Sequence, residues 1–178
     1  MNTVSWIETL LLRELEAFER ELSLFPTEEL IWRVVPGVSN SSGTLALHVC
    51  GNLQHYVGGI LGASGYIRDR ELEFARRGVS RAALQSEIQR TMHVVREALS
   101  SLSPDRLSLE YPEDFGGARM ATGLFLLHLS SHLAHHLGQV GYLRRALTGE
   151  NLSSGAISLK TLLSRRSTGA SQQRIAAD

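Results

Sequence analysis

The chain has 178 residues, 18 Lys+Arg balanced by 18 Asp+Glu, and a mean hydropathy of −0.06. That length suits one domain with a real core, and the balanced charge, with no basic stripe of interleaved aromatics, argues against nucleic acid as the main partner. The lone Cys50 makes no intrachain disulfide, which suits a reducing cytoplasm.

Val4, Ile7, Leu11, Leu15, Phe18, Leu22 and Phe25 recur at three- and four-residue steps and predict an amphipathic helix over about residues 3–24. Glu8, Arg13, Glu14 and Glu16 lie among them, so this segment is expected to be neither a signal peptide nor a membrane span. Pro26-Thr27-Glu28-Glu29-Leu30 reads as a Thr-capped single turn, and Pro36-Gly37 makes 33–40 a loop. Ser41 or Ser42 caps a second helix expected from about 43 to 63, with Leu45, Val49, Leu53, Tyr56 and Ile60 on its apolar side. Glycines 58, 59, 62 and 65 weaken its end. Arg68-Asp69-Arg70-Glu71 and then Glu73-Phe74 read as a solvated charged loop that folds over one end of the domain.

Ser80 is a natural cap for a third helix over about 81–102, where Leu84, Ile88, Met92, Val95, Leu99 and Leu102 form a bundle seam. Pro104 stops it, and 105–119 is a long loop with room for a one-turn helix. The fourth helix is expected over about 120–147, closed by Gly149. Residues 157–163 suit a short helix, and 167–178 read as a mobile tail or an arm ordered by a partner. With no strand-period run and no repeat, the expected fold is all-α: a four-helix bundle over 1–150 with long crossover loops, then a C-terminal extension over 151–178.

Four of the seven histidines fall within residues 128–136. At about 100° per residue from His128, His135 lies near −20°, Gln139 near 20°, His132 near 40° and His136 near 80°. The apolar stripe of Phe125, Leu126, Leu129, Leu133, Val140, Leu143 and Leu147 spans roughly 60–160° on the same wheel. His136 is therefore expected inside the buried face, His132 at its margin, and His128 and His135 further out. His132 and His136, four apart, stack on one face and can converge on one metal ion.

A metal needs at least three protein ligands, and His48, at a core margin near the start of the second helix, is the best third candidate. The neutral all-nitrogen set His48, His132 and His136 suits Zn²⁺ or Ni²⁺ and is poor for Mg²⁺ or Ca²⁺. Such a site can activate a bound water or a thiolate. Asn52 and Gln139, each about one turn from a proposed ligand, can orient a ring nitrogen or a bound water. His128 and His135 are expected on the rim of a substrate pocket at the open end between the second and fourth helices. Leu133 directly follows His132, where a zinc protease needs Glu, so protease chemistry is rejected. No Glu is followed by His three residues later, so the di-iron bundle signature fails too.

These stretches also carry a family likeness. Ser41-Ser42-Gly43-Thr44-Leu45-Ala46-Leu47-His48-Val49-Cys50-Gly51-Asn52-Leu53 looks like the first motif of the DinB-like four-helix proteins. His132-Leu133-Ala134-His135-His136-Leu137-Gly138-Gln139 looks like their second, and the run from Arg68 to Phe74 resembles a charged loop of one uncharacterised branch. The resemblance covers roughly residues 3–148. It implies a metal held by His48, His132 and His136, and frequent homodimers. Characterised relatives include metal-dependent transferases for low-molecular-weight thiols and maleylpyruvate isomerase-like enzymes. The expected function is a metal-dependent enzyme that activates a thiol or water for transfer or hydrolysis on a small molecule. The alternative is a non-catalytic metal-binding bundle, stress-associated or serving dimerisation. A third possibility is a plain helical dimerisation module.

Overall fold

Small polar residues open three of the four long helices and satisfy the N–H groups that a first turn leaves unpaired. The Asn2 side chain accepts from Ser5 N while Ser5 Oγ accepts from Asn2 N, each at 3.0 Å, a reciprocal capping box. Ser41 Oγ accepts from Thr44 N at 3.1 Å, and Ser80 Oγ from Ala83 N at 3.3 Å. The computed structural model describes residues 2–156 together with 158, 159 and 162. Its helices are α1 (Thr3–Ser23), α2 (Glu28–Ile31), α3 (Ser42–Leu53), α4 (Arg70–Ala75), α5 (Arg81–Ser100) and α6 (Thr122–Thr148). The fourth long helix, α6, has no side-chain cap and instead grows from a lone antiparallel bridge between Glu110 and Ala121, with Thr122 N donating to the Leu109 carbonyl at 2.8 Å. It ends at Gly149, whose φ of 71° is the left-handed stop the sequence announces.

α1 packs against α5 and α6, and α3 packs against the same two, so the bundle runs in the ring order α1–α5–α3–α6. Leu11, Leu15 and Phe18 of α1 meet Ile88 and Val95 of α5, Val49 and Leu53 of α3, and Leu126 and Leu129 of α6 in one buried core. Cutting Leu15 or Leu126 to Ala, both 0% exposed, is expected to cost about 2–5 kcal/mol. One charged side chain joins the core. Arg144 is fully buried, donates from Nε to Glu21 Oε2 at 2.6 Å, and donates from Nη2 to the Leu152 carbonyl. It ties α6 to α1 and to the chain that follows α6.

Three expectations need correction. The second helix is α-helical only to Leu53, then continues from Gln54 to Leu61 as a π-helix. Within it the lack of a side chain at Gly58 lets the backbone approach α5 closely, since a Cβ there would lie 2.3 Å from Val94 Cγ1. The charged run after it is solvated only at Asp69, Arg70 and Glu71; residues 70–75 form α4, and Arg68 and Glu73 turn inward. Asp69 caps α4 by accepting from Leu72 N at 2.8 Å, and Glu73 is buried against α3. Thr27 opens α2 in an extended conformation but makes no capping bond. The short helix expected over 157–163 and the tail over 167–178 lie outside the described residues, apart from 158, 159 and 162. Among the described residues no strand forms, and no helix is long and apolar enough to cross a membrane.

Candidate metal centre

Because α3 and α6 are neighbours in the ring, the first half of α3 faces the middle of α6. His48 on α3 meets His132 and His136, which stand one turn apart on α6. His132 Nε2 lies 3.0 Å from His136 Nε2 and 3.4 Å from His48 Nε2. The three ligand atoms all fall within 4.8 Å of one another. Metal–nitrogen bonds of about 2.0–2.1 Å in a tetrahedral shell place ligand nitrogens about 3.3 Å apart, so the two pairs that share His132 already stand near coordinating separation. Three neutral lone pairs aimed at one point repel each other unless a cation or a shared proton lies between them. These residues fit a transition-metal ion.

The remaining ring nitrogens show how the donors are oriented. Glu73 Oε2 lies 3.0 Å from His48 Nδ1, and a carboxylate only accepts, so Nδ1 carries the proton and Nε2 presents a lone pair to the cluster. At His136 the partner is Gln139, whose Oε1 accepts from Nδ1 at 2.7 Å, again freeing Nε2. Burial, followed by the neighbouring His136 and His48 rings, pulls the His132 pKa down to about 4. Burial also lowers that of His136, against the opposing bond to Gln139. Both α6 rings are therefore neutral at pH 7, the form a metal requires. Burial works against ionisation of Glu73, yet the bonds from His48 and Arg68 hold its carboxyl below the usual carboxylate range.

The structure brings His48, His132 and His136 together and places Gln139 on the back of His136. Asn52 is buried one turn beyond His48 without a hydrogen bond to any of the three rings. His135 and His128 are exposed flankers, their rings 5.3 Å from His136 and 6.2 Å from His132 by centroid. His136, expected inside the buried face, is only half-buried, like His132, and His48 is the most buried of the three. Two cavities flank the cluster. One of about 380 Å³ backs onto Glu73, and a groove of about 440 Å³ runs beside Gln139. Neither is lined by the three histidines, so the pocket expected between the second and fourth helices is not formed by either.

Sequence reasoning missed Glu73 and Arg68. A usable signal existed in Asp69, a capping residue followed by Leu72 and Phe74, which marks a short helix rather than open loop.

A comparison with curated proteins finds no match. The family model of the DinB superfamily matches residues 10–140, well over half of the chain and inclusive of all three histidines. The sequence likeness and the meeting of α3 with α6 thus lead to one assignment: the chain belongs to the DinB superfamily.

Proposed function

We propose that the protein is a metal-dependent enzyme in which His48, His132 and His136 hold a divalent transition metal, Zn²⁺ or Ni²⁺. The observation that carries this is the approach of three imidazole Nε2 atoms to one point. A bound ion of this kind supplies Lewis acidity, making a thiol or water more nucleophilic for transfer to, or hydrolysis of, a small molecule. The chain's own residues keep His48 and His136 in the binding tautomer through Glu73 and Gln139. A low-molecular-weight thiol is the proposed co-substrate, as the resemblance to the DinB-like family implies. The test is elemental analysis of the purified protein, followed by a thiol-conjugation screen with and without chelator. Turnover that is indifferent to chelation would defeat the proposal.

A non-catalytic reading has one observation in its favour. Among the described residues the one carboxylate hydrogen-bonded to the cluster is Glu73, and it is engaged by both His48 and Arg68, so it is not free to move a proton. In that reading the ion staples α3 to α6, and function lies in contacts with partners. Under either reading we propose a homodimer through the outer face of α6. Leu124, Leu127 and Tyr142 stand there 61%, 50% and 76% exposed on one stripe. Light scattering that gives a monomer mass at micromolar concentration would remove it.

A further inference from the structure

Glu73 approaches the histidine cluster from behind, on a segment separate from both ligand-bearing helices. Arg68 grips it with two prongs, Nε to Oε1 at 2.7 Å and Nη2 to Oε2 at 2.9 Å, the paired geometry of a guanidinium on a carboxylate. The two side chains are 10% and 6% exposed, so water does little to loosen them. Asp69 starts the helix that carries Glu73, and Phe74 lays its ring 4.8 Å from that of His48. The α3 backbone leaves a berth for the carboxylate. Gly51, one turn after His48, is the residue against which it rests, and a Cβ there would lie 2.1 Å from Glu73 Oε1 and 2.7 Å from Cδ. Side chain, clamp, cap and glycine all serve one contact, Nδ1 of His48 on Glu73 Oε2.

We propose that Glu73, clamped by Arg68 and seated on Gly51, is a positioning residue that sets the tautomer of His48 and thereby how tightly the cluster holds its metal. This rests on the metal reading above. A charged acceptor on Nδ1 fixes the ring and makes Nε2 a better donor, and loss of such a partner commonly weakens metal affinity about 10–100-fold. Arg68 Nη2, 3.5 Å from Nδ1, does not compete for this role. It is a donor, it is distant, and it already serves the carboxylate.

The probe is Zn²⁺ alone, titrated against a competing chelator, with far-UV helicity followed in parallel. Glu73→Gln is expected to lower Zn²⁺ affinity about 10–100-fold while the bundle stays helical. Gly51→Ala keeps every charged group but occupies the berth, and it is expected to weaken Zn²⁺ in the same direction. In Co²⁺-loaded wild type, NMR should show a slowly exchanging, metal-shifted Nδ1–H from His48, whose exchange with solvent Glu73→Gln should speed up. Unchanged affinity in a folded Glu73→Gln protein, or no such proton in the wild type, overturns the positioning role and leaves the metal reading standing. A wild type that takes up no Zn²⁺ or Co²⁺ overturns the metal reading, and the positioning role falls with it. If Glu73→Gln unfolds, the wild-type proton signal decides.

Discussion

His48 and His136 offer the same ring atom to the same point, yet they are held there in opposite ways. His136 is supported from within its own helix by a neutral amide three residues on, at a site open to solvent. His48 is supported across 25 residues by a buried carboxylate that is itself held by a guanidinium. The first arrangement needs only helix periodicity; the second needs a loop to fold into a helix and dock on α3. Burial explains the contrast. A ring in the interior requires a firm, charged partner to offset its desolvation, whereas a ring at the rim can exchange partners with water.

The comparison can be broken most forcefully at the ring between them. His132→Ala removes the atom that both neighbours face, and stoichiometric metal uptake should disappear while far-UV helicity is retained. Full metal occupancy by elemental analysis would refute the ligand set. Next comes the asymmetry itself. Gln139→Leu should weaken Zn²⁺ only a few-fold, well short of the 10–100-fold expected for Glu73→Gln, because the lost partner is neutral and solvent-exposed. Equal losses in a chelator titration would show that charge and burial do not separate the two supports.

A smaller effect lies in pH. The folded-state pKa of His132, about 4, is below the unfolded value of about 6.5. The unfolded chain therefore binds more protons across that window. Stability of the chelated protein should fall as pH drops from about 6.5 towards about 4. The urea midpoint should follow that slope, and His132→Ala should flatten it. The smallest effect concerns Cys50, whose thiol is pushed up to about 12 by burial. In the native protein it should resist thiol reagents at pH 8, and Cys50→Ala should leave Zn²⁺ affinity unchanged. Rapid labelling would mean that α3 opens more readily than its neighbours allow.

The helical frame was largely legible in the sequence. Ser41, Ser80 and Gly149 stand at the helix ends, and the apolar spacing of α1, α5 and α6 matches what is buried. The α6 pair and its Gln139 support could be read because they lie within two turns of one helix. Glu73 and Arg68 could not be read in the same way. Charge density argues for solvent, and only the docking of α4 on α3 turns that charge inward. The π-helical stretch was hidden for a related reason. Its backbone packs closely on Val94, a contact 36 residues away in the chain.

The buried guanidinium of Arg144 gives the segment after α6 a structural duty. Leu152 lends it a carbonyl, and Ser154 does the same for Arg20 at 2.9 Å, so two arginines on different helices hold the chain where it leaves the bundle. A protein shortened at Gly149 would keep α1 to α6 and all three imidazoles. It would also strand a cation in the interior with one acceptor fewer, at a cost of about 1–3 kcal/mol. The end of the last helix is therefore a poor place to cut.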